Sequence, residues 1–345
     1  MPIATLLANY ANLTLYLAMA VLTIAMIAFA VHVAFAQPTT QREAVEPELV
    51  TAGAVASNAV SGRGAAGGVV VADLPTPDAA PAPDSARTRE RGQASGQWGM
   101  TLSWLGAMLL VASVGLRGAS VHRAPVGNMF EFAVFGSMLV MLVYLGLSLR
   151  WPLRWLGLFV VLPVLLTLGL ALTVWYAEAA ELLPSLKSIW LAIHVPVATL
   201  SVAVFTIAFS VLLLHLAKGH REAHPQDHAG SRVMGFLDQL PSAAALDRTA
   251  YSLHVVAFPL WTFSLIAGAI WAQQAWGSYW NWDPKEVWTF VIWVIYAAYL
   301  HARATSGWSL RTANILAIVG YLAIVVNFAI VNVFFIGQHS YSGLG

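Results

Sequence analysis

The sequence predicts an all-α polytopic membrane protein with eight transmembrane helices and an extracytoplasmic, tryptophan-rich loop. Three observations carry that prediction. Hydrophobic residues make up 59% of the 345 and charged residues only 10%, with a mean hydropathy of +0.72; a soluble domain carries about 25% charged residues. Apolar stretches of about 20 residues, long enough to cross a bilayer as a helix, recur at about 11–36, 98–116, 129–149, 153–176, 189–217, 250–274, 285–303 and 312–337. Of the 17 Lys and Arg, only Arg117, Arg123, Lys187 and Lys285 fall in one alternate set of loops. The positive-inside rule therefore predicts both termini and the loop at 276–288 outside the plasma membrane.

The first span ends on Ala34-Phe35-Ala36, which looks like a signal cleavage site. No Lys or Arg precedes it and its apolar run is too long for a signal peptide, so a retained helix is expected. Residues 37–97 are rich in Ala, Pro, Gly and Ser and hold no aromatic residue. Such a segment buries too little apolar surface to offset its ordering entropy, which predicts a disordered cytoplasmic linker. Residues 98–345 then form a seven-helix core.

The third span opens on Asn128-Met129-Phe130-Glu131. Asn128 can cap this helix, with Glu131 reaching back as the third-position partner or supporting the tryptophan loop. The fifth span carries His194 about one turn inside its outer end, followed by Val195-Pro196. In the loop at 218–249, His220, His224 and His228 step by four residues and could line one metal-binding helix face. The Gly and Pro around them favour a solvated loop instead.

Between the sixth and seventh spans the chain reads WGSYWNWDPKEVW, residues 276–288. Tryptophans collect at bilayer interfaces for physical reasons alone, but Trp276, Trp280, Trp282 and Trp288 in one short loop form a flat aromatic surface. Asp283, Pro284 and Glu286 read as N-cap, first position and third position of the seventh helix, fixing the angle at which those rings stand. His339 lies just beyond the eighth span, on the same face as His194 and the loop. Imidazoles beside an aromatic platform suit non-covalent haem b, with His194 and His339 as axial ligands. His301, about 22 Å down the seventh helix from Glu286, and His254 in the sixth span lie near the other face. They could ligate a second haem together, or either could pair with a histidine of another subunit. His32 and His215, near inner helix ends, read as snorkelling or packing residues.

Other chemistry is excluded. There is no cysteine, hence no disulfide, thiolate nucleophile, zinc–thiolate site or haem-attachment motif. A net charge of +1 argues against nucleic acid. No residue stands out as a general acid or base, so any catalysis would be positioning.

The tryptophan loop resembles the WWD signature of haem-handling proteins, and its surroundings resemble the CcsA (ResC) family of System II cytochrome c biogenesis. The resemblance covers most of residues 98–345. It implies external haem ligands at His194 and His339, a transmembrane ligand at His301, and haem contacts along Trp276, Trp280, Trp282, Asp283 and Trp288, with Asn128 and Glu131 in support. It also implies a CcsB (ResB)-like membrane partner that supplies the second inner ligand. Haem would pass from the inner to the outer site and join an apocytochrome c CxxCH segment by thioether bonds, with a thioredoxin-like reductant keeping the thiols reduced. Two alternatives stay open: a haem exporter or chaperone without lyase activity, and a cytochrome b-type electron carrier using His254 and His301.

Overall fold

A computed structural model describes residues 3–35, 83–182, 184–224, 235–335 and 337–339, excepting the side chains of 83–89. Its eight long apolar helices make it a multi-pass membrane protein. They are α1 (Ile3–Phe35), α2 (Pro83–Val121), α3 (Met129–Ser148), α4 (Gly157–Thr173), α5 (Trp190–Ala223), α6 (Ala243–Trp276), α7 (Pro284–Ala304) and α8, which starts at Leu310. No strand occurs among the described residues. Helices are what an apolar solvent allows, because each backbone N–H and C=O must find a partner within its own segment.

The predicted linker is shorter than expected at its far end. Helix α2 begins at Pro83, so residues 83–97 are helical, while 37–82 lie outside the described residues. Composition undervalues such a segment, since extending a helix already nucleated by the apolar span costs far less than starting one. His32 of α1 also ties this stretch down, its Nδ1 lying 2.7 Å from the Gly92 carbonyl.

Small residues set how the helices meet. Helix α1 lies along α2, where a Cβ at Gly106 would stand 2.6 Å from Leu22 and one at Gly99 2.8 Å from Phe29. The missing side chains are the notches that receive α1, the usual device where lipid offers no hydrophobic drive to pair. Helix α5 lies along α6 and α7 along α8, while α3 touches α2, α4 and α5. Tyr144, Tyr296, Tyr299, Phe29, Phe130 and Phe205 are the largest fully enclosed side chains among the described residues.

Helix α8 is interrupted. It is α-helical to Val325, π-helical over Val326–Val331, and α-helical again over Asn332–Phe334. A π turn inside an α-helix commonly marks a functional site, and this one lies beside the tryptophan loop.

Candidate functional site

The outer end of the bundle is organised by the start of α7. Asp283 is the N-cap and Pro284 occupies the first turn; the Asp283 carboxylate accepts from Lys285 N at 2.9 Å. Glu286 Oε2 accepts from Asp283 N at 3.2 Å and from Asn281 N at 2.8 Å. The capping box expected from the sequence is present. Before it, Gly277 ends α6 in the left-handed region at φ 78°, and Trp282 takes φ 57°, a strained value for a large residue.

Asp283 does more than cap. Its Oδ1 lies 2.9 Å from His339 Nδ1, and its Oδ2 accepts from Gln338 N at 2.6 Å. Burial alone would push this carboxyl up. The hydrogen bond and charge of His339, with the N–H groups of Lys285 and Gln338, instead hold it below the usual carboxylate range. One side chain thus fixes both the helix start and the segment carrying His339. The Trp276 ring stands edge-on to His339, 4.8 Å between centroids.

These groups open on a cavity of ≈ 420 Å³, within the range of roughly 300–1,000 Å³ typical of small-molecule pockets. His194, His339, Trp271, Trp276 and Trp280 line its outer part, and it continues down between the helices to Thr206 and Tyr321. His194 Nδ1 is buried there without a hydrogen-bond partner, and its ring meets Trp271 edge-on at 5.7 Å. A Cβ on Gly268 of α6 would stand 2.9 Å from His194 Cε1. Gly268→Ala should therefore push the His194 ring aside; we expect unchanged helix content by circular dichroism and haem content lowered several-fold in the purified protein.

The donor set fits haem. A buried imidazole nitrogen with no hydrogen-bond partner, at the wall of an aromatic cavity, has the lone pair and setting that iron ligation requires. A second imidazole, held through Nδ1 by a carboxylate, matches the support that metal-binding histidines receive.

Not every predicted contact faces this cavity. Trp276, Trp280 and Asn128 line it. Trp282 is 77% exposed and meets Trp280 edge-on from outside. Trp288 packs against the hydrophobic core. Asn128 does cap α3, accepting from Glu131 N at 2.9 Å.

Glu131, however, neither reaches back to the Asn128 N–H nor supports the tryptophan loop. Its buried carboxylate pairs with Arg117 Nε at 3.0 Å and Arg123 Nη1 at 2.7 Å, and accepts from Gly127 N at 2.8 Å. The two arginines go on to the Ala177 and Ala180 carbonyls, at 2.7 and 2.8 Å, clamping the segment after α4. Long-range partners drew Glu131 away from its local cap.

The inner histidines, expected at one depth, face apart. His301 is exposed on α7. His254 is 1% exposed, enclosed by Phe205, Tyr296 and Tyr299, with Nδ1 on the Ala250 carbonyl and Nε2 without a partner. His215 is a packing residue, its Nδ1 2.8 Å from the Ala243 carbonyl. His220 and His224 close α5, their rings 4.8 Å apart, and His228 lies outside the described residues. No group of three or more metal-ligating side chains occurs among the described residues.

Sequence reasoning missed Trp271, Gly268, Lys285 and Asn327. Trp271 lies outside the loop motif, and nothing in a uniformly apolar span indicates which residue faces a cavity. Lys285 sat inside the motif and was counted only as a loop charge.

The sequence pattern of one protein family, described as cytochrome C assembly protein, matches residues 125–339. The chain is also similar to the cytochrome c biogenesis protein CcsA of Synechococcus sp. (strain CC9902), 33% identical over 257 residues, which cover 68% of this chain and 83% of the relative. The protein of the same name from Porphyra purpurea is 32% identical over 253 residues, 64% of this chain and 79% of the relative. That from Mesostigma viride is 31% identical over 260 residues, 70% and 85%.

Proposed function

We propose, for a chain that belongs to the cytochrome c assembly protein family and serves cytochrome c biogenesis, that it binds haem b at the outer cavity and presents it for attachment to apocytochrome c. The observation that carries this reading is the pairing of His339, anchored by Asp283, with the orphaned His194 nitrogen beside Trp276 and Trp280. His194 and His339 would hold the iron. Trp276 and Trp280 would pack on the ring and keep water from it.

Haem supplies the vinyl groups. Once bound, its vinyl double bonds would accept the S–H of apocytochrome thiols by addition, with every atom retained and nothing leaving. This chain's own contribution is to position the ring, and having no cysteine it offers no competing thiol. A histidine of the apocytochrome would then displace one enzyme ligand. The thiols must arrive reduced, which assigns a thioredoxin-like reductant to the same side. In this reading the cavity mouth and both termini lie outside the plasma membrane, as the distribution of Lys and Arg favours.

The inner ligand in this reading is His301, paired with a histidine of a CcsB-like membrane subunit. Its exposure on α7 favours a ligand completed by another chain. The cytochrome b-type alternative needs His254 and His301 to share an iron, and their opposite facing disfavours it. A haem exporter without lyase activity would use the same outer cavity.

The test is the absorption spectrum of the purified protein, alone and with its partner, beside the yield of holocytochrome c. The wild type should carry haem with a low-spin, two-histidine spectrum. Trp280→Ala should lower haem content about 3- to 10-fold, the scale of a lost aromatic contact, while Trp282→Ala, outside the cavity, should leave it near the wild-type level. Equal haem content in all three would reduce the loop to an interfacial belt. Full haem loading without any holocytochrome, partner and apocytochrome being supplied, would favour the exporter.

A further inference from the structure

Lys285 is the one Lys or Arg among the described residues lining the cavity. It sits in the first turn of α7, and its Nζ donates to the Asn327 carbonyl at 3.0 Å and to Asn332 Oδ1 at 2.7 Å. Both acceptors are neutral and both belong to the irregular outer end of α8, Asn327 lying within the π turn. An ammonium has three donors, so two are engaged. Of the neighbouring carboxylates, Asp283 is bonded to Lys285 N, Gln338 N and His339, while Glu286 accepts through Oε2 from Asn281 N and Asp283 N and keeps its Oε1 buried without a hydrogen-bond partner. No ion pair of Lys285 occurs among the described residues. A partly buried ammonium that the Asp283 carboxylate acts on only at a distance, with no ion pair formed, stands at a helix N-terminus, where the backbone adds positive potential.

A second observation points the same way. Asn327 is 5% exposed and lines the same wall; its Oδ1 has no partner, and its Nδ2 reaches Thr289 Oγ1 only at 3.5 Å. A buried amide held this loosely is available to a ligand, as donor when turned over. A cation and a loosely held amide on one wall of a largely apolar cavity are complementary to a carboxylate.

We propose that Lys285, with Asn327, forms the carboxylate subsite of the outer cavity and fixes the rotation of haem by holding a propionate. This rests on the haem reading above. The ring's propionates lie on the edge opposite one vinyl-bearing side, so a propionate held at the α7–α8 wall directs the reactive edge away from Lys285. Lys285 is thus a positioning residue, setting which edge meets the incoming thiols while the histidines set only the plane.

The experiment uses the full-length protein in detergent, stripped of haem and titrated by absorption with haem and with haem dimethyl ester, whose propionates are uncharged. The wild type should bind haem about 10- to 100-fold more tightly than the ester, the scale of a hydrogen bond to a charged group. Lys285→Met should bind both alike, near the wild-type affinity for the ester. Lys285→Gln, which keeps a donor toward Asn332, serves if the Met variant does not fold, and it too should lose the preference. A haem-to-ester ratio unchanged by either variant would overturn the subsite, leaving Lys285 as a tether between α7 and α8 or as the counter-ion of a lipid phosphate. A wild type that bound neither ligand would overturn the haem reading itself, and the subsite with it.

Discussion

Without its two outer histidines, as His194→Ala/His339→Ala, the protein is expected to keep its eight helices and to lose haem at the outer site altogether. Iron would then have no axial ligand from this chain at that cavity, and packing on Trp276 and Trp280 alone would not retain the ring through purification. The single variants should be weaker binders, and added imidazole should restore part of their haem content by entering the vacated position. Asp283→Ala should fall between wild type and the single variants. Removing the carboxylate behind a metal-binding histidine typically costs about 10- to 100-fold in affinity; losing an N-cap costs about 0.5–2 kcal/mol. Because its carboxyl is held below the usual range, the Asp283 anchor is at full strength above about pH 4 and is lost as pH falls further. The measurement is haem per polypeptide from the absorption spectrum. A double variant with a wild-type spectrum would remove both residues from the iron.

Glu131→Ala is expected to be the most destabilising single substitution at this end of the bundle, by about 3–5 kcal/mol. It would leave Arg117 and Arg123 facing each other, with only backbone carbonyls for compensation and little access to water; Arg117 is 5% exposed. Removing one partner of a buried ion pair costs more than the pair contributes, because the remaining charge stays desolvated. Glu131→Gln should cost less, since the amide can still accept from Gly127 N and from one arginine. Thermal unfolding in detergent, followed by circular dichroism, measures both. Because Glu131 lies off the cavity, folded Glu131→Gln protein should hold near-normal haem. A variant that melted like the wild type yet lost haem would make Glu131 a haem contact after all.

Much of this protein is legible without coordinates. Eight spans follow from apolar length, because a chain in hydrocarbon must satisfy its backbone locally and each helix does so by itself. The capping box at Asp283 and Glu286 and the Asn128 cap are equally local, their partners lying within five residues. The placement of His194, His339 and the tryptophan loop at one end is a matter of parity, eight crossings counted from either terminus.

What the tertiary structure alone decided is facing and long-range pairing. A span that is apolar all round has little preferred side, so its rotation is set by neighbours rather than by its own pattern. Hence Trp280 looks into the cavity and Trp282 away from it, and His301 is exposed while His254 is enclosed. Glu131 met Arg117 fourteen residues back. Asp283 met His339 across 56 residues, and Lys285 met a π turn that no periodicity announced. A buried charge takes whichever partner the packing brings within reach, and the packing is a property of the whole bundle.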